Sequence, residues 1–213
     1  MTYKELQDAV AAKVLDTSPT IVAMIPDVIN EAIGQIADEV PLPSLKSLGT
    51  ITTVVGQEWV NISSTITNFS GRLLYIGTAN GGITVVDGGL EQLVQSYPKA
   101  GESGDIGAVA LEGNILWYRN TPTVATTLTI VYYKEPALLT SDSHVPSDLP
   151  WMLHRDLIVN KASSIIFDHI EEGLEGNKVN MQSCLGQYEI AKNKLSAWLH
   201  KRRLNVGRSV WDV

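Results

Sequence analysis

Cysteine is nearly missing from this chain: Cys184 is the single one in 213 residues. That excludes an internal disulfide framework and a cysteine-based zinc site. Histidine is scarce as well. His144, His154, His169 and His200 contain no H-x-x-x-H pair that would aim two imidazoles at one metal. No apolar run approaches the ~18 consecutive residues of a membrane span. Met1 to Leu6 carries charges where a signal peptide needs an apolar stretch, so a reducing, aqueous compartment is expected. Basic charge is in deficit: 16 Lys and Arg stand against 23 Asp and Glu, a net charge of −7. Such a chain does not coat nucleic acid with its whole surface. The phosphate-cradling G-x-x-x-x-G-K-[ST] loop and the G-x-S-x-G nucleophile elbow are both absent from the sequence.

What is there is globular. Hydrophobic residues make up 44% and charged residues 18%, and the mean hydropathy is +0.05. The length suits one large domain or two small ones. Composition is uneven. Twelve of the 17 glycines lie between Gly49 and Gly113, and residues 50–134 are rich in Thr, Val and Ile. The flanks are charged and helically patterned. The expected fold is therefore α+β: a helical bundle of about four helices, with a small antiparallel β-sandwich or barrel inserted. The expected domains are 1–48 plus 135–203 for the bundle, 49–134 for the strands, and 204–213 as an interaction tail.

Periodicity predicts the elements. Leu6, Ala9, Val10, Lys13 and Val14 recur at helical spacing from Tyr3 to Leu15. Ser18-Pro19 then suits an N-cap and first helical residue. Ile21, Ile25, Val28, Ile29, Ala32, Ile33, Ile36 and Val40 share one face, with Pro26 either kinking that helix or starting it. In the middle, three hairpins are predicted: 51–55 with 58–62 about Gly56-Gln57, 72–76 with 83–86 about Asn80-Gly81-Gly82, and 108–111 with 115–118 about Gly113. Leu128 to Tyr133 reads as a further strand, and Gly88 to Tyr97 is open between helix and loop. Two long helices follow, Trp151 to Glu172 and Asn177 to Arg203, broken by Gly173 and Gly176. The second buries Met181, Cys184, Leu185, Tyr188, Ala191, Leu195, Trp198 and Leu199.

A search for chemistry finds no convergent acid, base, nucleophile or metal set, so no catalytic residue, cofactor or metal site is expected. Gly101 to Gly107 reads as a solvated turn, because its carboxylates repel phosphate. Asp168-His169 with Glu171-Glu172 reads as a solvated helix end, with a hard-cation site as the alternative. Cys184 reads as a buried hydrophobe. Asn61-Ile-Ser63 and Asn68-Phe-Ser70 are chance sequons. Charge is more informative. Residues 1–40 carry two basic and seven acidic side chains, whereas residues 176–213 carry seven basic and two acidic. Lys192, Lys194, Lys201, Arg202, Arg203 and Arg208 exceed what a helix dipole explains and point to an acidic partner surface or to nucleic acid. Trp211, in the short tail after them, suits a partner pocket. The candidate partner-binding set is Lys201, Arg202, Arg203, Arg208 and Trp211.

Four segments in order carry a family likeness: Gly113-Asn-Ile-Leu-Trp-Tyr-Arg-Asn-Thr-Pro122, Leu128-Thr-Ile-Val-Tyr-Tyr133, Pro136-Ala-Leu-Leu-Thr140 and Pro146-Ser-Asp-Leu-Pro150. A last strand ending in Tyr-Tyr, a P-x-L-T…P linker and a long helix resemble the head-to-tail adaptor (connector, head-completion) proteins of tailed bacteriophages. The likeness covers most of the chain in layout and is specific over about residues 88–170. It implies a structural virion protein without enzymatic activity, assembled in the host cytoplasm and placed at the head–tail interface. It implies a homo-oligomeric ring, commonly of twelve, that joins the portal protein to a tail or neck protein. DNA would pass through the ring's channel without sequence-specific binding, and no membrane is involved. Within that picture the acidic helical surface is expected to face the channel and the basic segment to bind the portal, or else the DNA end. The competing readings are a tail-associated carbohydrate- or host-binding module, with Trp59 and Trp117 as a stacking platform, and a neck or tail-completion protein away from the portal.

Overall fold

A computed structural model describes residues 1–98, 102–171 and 178–206, the last four as backbone alone. The fold is α+β, with five α-helices and two four-stranded sheets among these residues. Contacts divide the chain into two compact units, Met1–Ser44 with Pro136–Val213, and Leu45–Glu135.

In the helical unit, α1 (Tyr3–Val14) starts at a capping box. Glu5 N–H donates to Thr2 Oγ1 at 3.3 Å and Thr2 N–H to Glu5 Oε2 at 2.8 Å, so two orphan donors are satisfied reciprocally. Tyr3, Leu6, Val10 and Val14 form its buried stripe. The second helix, α2, runs from Pro19 to Glu39. Ser18 holds the cap position without a side-chain bond. Pro26 lies inside α2 and neither begins nor ends it. Its carbonyl accepts the Tyr3 hydroxyl at 2.9 Å, which ties α1 to α2.

The helix predicted from Trp151 to Glu172 is not regular. A 3-10 turn, Trp151–Leu153, leads into a π-helical turn, Arg155–Val159, and only then into α4 (Asn160–Ile170). Leu157, Ile158 and Val159 are consecutive and all buried, which the wider turn permits. Asn160 Nδ2 donates to the Asp156 carbonyl at 2.7 Å across it. The last helix, α5 (Val179–Val206), buries Cys184, Tyr188, Ala191, Leu195 and Leu199. Leu185, expected on that face, is instead exposed, and Met181 is half-buried. The carboxylate of Glu171, just past α4, accepts the backbone N–H groups of Asn180 and Met181 at 3.2 and 3.3 Å. The end of α4 therefore caps the start of α5. Helix α4 packs against α1, α2 and α5.

In the strand unit, β1 (Lys46–Thr52), β8 (Thr127–Lys134), β3 (Phe69–Thr78) and β4 (Gly81–Gly82) form one sheet in that order. The other runs β2 (Trp59–Asn61), β7 (Ile115–Arg119), β6 (Ala108–Glu112), β5 (Thr84–Val86), with β5 parallel to β6. Ile51, Ile76, Leu128, Ile130 and Tyr132 from the first sheet share one core with Val60, Val109, Leu116 and Tyr118 from the second. The sheets are thus the two layers of a sandwich. Helix α3 (Gly89–Ser96) covers the outer face of the second sheet, with Leu93 on Ala108 and Ala110.

One of the three expected hairpins forms whole: β6–β7, with Gly113 at φ +57°. The first does not form. β1 pairs with β8, β2 pairs with β7, and Gly56 turns the chain from one sheet to the other. The second forms only in part, because Gly81 and Gly82 pair with β3 before β5 crosses to the other sheet.

Candidate functional site

Three of the five predicted partner residues, Lys201, Arg202 and Arg203, fall at the end of α5. Lys201 and Arg202 are exposed there. Arg203 lies in the helix as backbone, and Arg208 and Trp211 lie outside the described residues. Two other members of the basic cluster are engaged internally. Lys192 pairs with Glu39 at 2.8 Å and Glu189 at 2.7 Å, and Lys194 with Asp156 at 3.7 Å.

Arg202 stands one turn after Trp198, and its guanidinium sits 4.2 Å from that ring's centroid. This cation–π contact holds the guanidinium against the Trp198 ring. Trp198, Leu199 and Arg202 form one wall of a groove of about 740 Å³. The opposite wall is the turn before α4: Val145, Leu149, Pro150, Trp151 and Met152. Trp151 is 76% exposed, an unusual placement for the largest apolar side chain. The lining is mostly apolar and carries one cation, Arg202, and one acid, Asp148; such a groove fits a hydrophobic segment of a partner.

The turn that builds this wall is held from several sides. Ser44 Oγ donates to the Asp148 carbonyl at 3.1 Å. The buried His154 ring lies 3.0 Å from the Leu149 carbonyl through Nε2 and 3.1 Å from the Met1 ammonium through Nδ1. An ammonium only donates, so Nδ1 accepts and Nε2 carries the proton given to Leu149. Burial pushes the His154 pKa down, which keeps this neutral tautomer.

Helices α2, α4 and α5 are tied by one carboxylate. Glu39, at the end of α2, accepts from Tyr188 at 2.7 Å and Lys192 at 2.8 Å on α5, and from Lys161 at 3.1 Å on α4. Burial opposes its charge, but these three donors outweigh burial and hold its pKa at about 2. The Tyr188 hydroxyl is pushed up by burial and by Glu39, so it remains a donor.

The remaining candidates have structural partners. Burial raises the pKa of Cys184. Asp168 pairs with Lys178, and Glu171 caps α5. Among the described residues no group of three or more His, Cys, Asp or Glu is placed to hold a metal ion, and no helix is long and apolar enough to cross a membrane. Trp59 and Trp117 are 6.4 Å apart but inclined at 54°, and Trp117 packs against the cluster under α3, so they do not make one flat platform.

Sequence reasoning missed Trp151, Met152 and Trp198 as groove residues. Trp198 falls within the helical stripe of α5 and reads there as core. The available signal was Pro146…Pro150, a rigid turn that delivers Trp151 and Met152 to a helix start before any stripe can bury them.

Family comparison covers nearly the whole of this architecture. None of the curated proteins matches the sequence. The family model described as SU10 adaptor protein matches residues 1–205, from before α1 almost to the end of α5. The chain belongs to the SU10 adaptor protein family, a family of phage head-to-tail adaptors.

Proposed function

We propose that this adaptor forms a homo-oligomeric ring at the virion neck, joins the portal protein to a tail or neck protein, and extends the DNA channel. The observation that carries the portal contact is the Trp198–Arg202 groove at the basic end of α5. It offers a mostly apolar slot flanked by the exposed cations Lys201 and Arg202, suited to an apolar portal segment. In sequence, Lys201, Arg202, Arg203, Arg208 and Trp211 continue the basic and aromatic character through residues 204–213, and we assign them to the same contact. The acidic balance of residues 1–40 suits a surface that DNA slides past, because favourable phosphate contacts would hold it. We infer as well that the strand unit is a domain inserted into a helical domain. Limited digestion of the full chain is expected to cut near residues 45 and 135, giving three fragments of which the first and third stay associated.

The test is native mass of the purified protein, alone and mixed with the portal from the same genome. A ring-sized species that contains both proteins is expected. Trp211→Ala combined with Arg202→Glu and Arg203→Glu should abolish the joint species with the fold intact by circular dichroism. Undiminished portal binding by that variant would overturn the assigned surface. A chain that ignores the portal and instead joins tail proteins would place it lower in the neck. Strong salt-dependent binding to linear duplex would assign the basic end to DNA.

A further inference from the structure

The two outer faces of the strand unit are unlike. α3 covers one. The other, on the β1–β8–β3–β4 sheet, carries no helix of this unit; Leu48 and Tyr75 are exposed on it, whereas Tyr133 is buried. Register places Leu48, Val131 and Tyr75 in one row across it, because Val131 is opposite both Leu48 and Tyr75. Leu48 is 70% exposed and Tyr75 44%. The next row is Lys46, Tyr133 and Arg72, in which both cations lie over the Tyr133 ring, 5.8 and 5.1 Å from its centroid. Neither cation forms an ion pair among the described residues. An apolar row beside two cations without ion pairs, on a sheet whose edge strand β1 has no outer partner among the described residues, is an adhesive surface.

The α3 side has the opposite charge. Asp87 precedes the helix, Glu91 is in its first turn, and Glu112 lies beside Gly89 at its start. All three are exposed, and none forms an ion pair among the described residues. Val94 and Tyr97 are exposed beside them, at 41% and 38%. Both surfaces therefore combine apolar side chains with charge, and the charges are complementary. They lie on opposite sides of one sandwich, since inward side chains of the two sheets meet in its core.

We propose that the Leu48 and Tyr75 face of the β1–β8–β3–β4 sheet docks the α3 face of a second copy of the chain. A contact between unlike surfaces on opposite sides repeats head to tail, and that is how a cyclic ring is built. The Lys46 and Arg72 cations meet Asp87, Glu91 and Glu112 of the next copy, and Leu48 and Tyr75 meet its Val94 and Tyr97. The inference rests on the ring reading above and assigns that ring its subunit contact.

The test is a charge exchange in the full chain, read by native mass with and without the portal. Lys46→Glu with Arg72→Glu makes both faces acidic. Asp87→Lys with Glu91→Lys makes both basic. Each variant alone should raise the concentration needed for assembly about tenfold or more, and an equimolar mixture of the two should restore it. Cross-linking gives a second reading that tolerates a poorly folding charge variant. Leu48→Cys mixed with Val94→Cys should give the mixed pair with a short bismaleimide, and neither should pair with itself. A parent ring that either charge variant leaves intact, a mixture that does not recover, or self-pairing of Leu48→Cys would overturn the interface alone. A parent chain that stays monomeric with and without the portal would overturn the ring reading, and this contact with it.

Discussion

Glu39 in the helical unit and Ile51 in the strand unit hold similar positions in their architectures, and they hold them differently. Glu39 joins α2 to α4 and α5 through three charged or polar donors. Ile51 joins its sheet to the other by burial in one apolar cluster with Val60, Leu116 and Leu128. The contrast extends outward. His154, Asn160, Ser163, Ser164 and Glu171 are all buried in the helical unit, whereas the buried polar residues of the strand unit are Thr53 and Arg119. Helices can slide and rotate against one another on apolar stripes, and directional bonds fix their positions. Sheets already have their register fixed by backbone pairing, and an apolar interior is enough. Proton concentration should therefore act on one unit and leave the other nearly untouched.

The largest effects test the cores separately. Leu116→Ala or Ile76→Ala in the strand unit, and Ile29→Ala or Leu6→Ala in the helical unit, should each cost about 2–5 kcal/mol. Calorimetry should show each substitution lowering the transition of its own unit. Equal lowering of a single transition would show that the units melt as one. Next is Glu39→Gln, expected to cost the helical unit about 2–3 kcal/mol at pH 7, because it weakens three charge-assisted bonds at once. The sign with pH is fixed by the pKa of about 2 against an ordinary 4.5. The stabilisation is complete above pH 4.5 and is lost as pH falls toward 2. By urea titration the gap between parent and variant should therefore be smaller at pH 3 than at pH 7. A pH-independent gap would mean that the carboxylate charge is not what ties the helices.

His154 gives a smaller effect in a higher window. Its folded pKa lies below the unfolded value of about 6.5, so the unfolded chain takes up the proton first. Stability is full above that pH and declines as pH falls below it. His154→Gln, whose amide supplies both a donor and an acceptor, should remove the decline at a cost of about 1 kcal/mol. Tryptophan fluorescence between pH 7.5 and 5.5 reads this at Trp151 and Trp198 in the groove. The smallest is Tyr188→Phe, which leaves Glu39 with its two lysines and should cost about 1 kcal/mol or less by urea unfolding.

Regular patterns were legible in the residues, and departures from them were not. The alternation of Leu128 to Tyr133 and the Gly113 turn identify β8 and the β6–β7 hairpin without ambiguity. The Gly56 turn was read as a hairpin because a tight turn has the same local chemistry whether the chain returns to its own sheet or crosses to the facing one. What decides is that Ile51 and Val60 approach the same core from opposite layers, a fact of tertiary structure. The π-helical turn at Arg155–Val159 was hidden for a related reason. Leu157 and Ile158 satisfy a 3.6-residue stripe, and only the burial of Val159 beside them requires the wider turn. At the groove, Arg202 was legible as charge, but its partner Trp198 was spent on the helical stripe of α5. An i, i+4 cation–aromatic pair at a helix end is the pattern that separates the two uses.

The discontinuity of the helical unit also sets an order of events on the ribosome. The strand unit is complete once β8 has emerged, and the pairing of Lys46 with Tyr133 then brings its entering and leaving strands side by side. Helices α1 and α2 are made first, yet they must keep their apolar stripes uncovered until α4 and α5 follow. Roughly 70 residues separate Pro136 from the end of α5, and at about 5–20 residues per second the delay is roughly 4–14 s. Through that interval the nascent chain holds a finished sandwich between an orphaned pair of helices and their unborn partners, and host chaperones have their opening there.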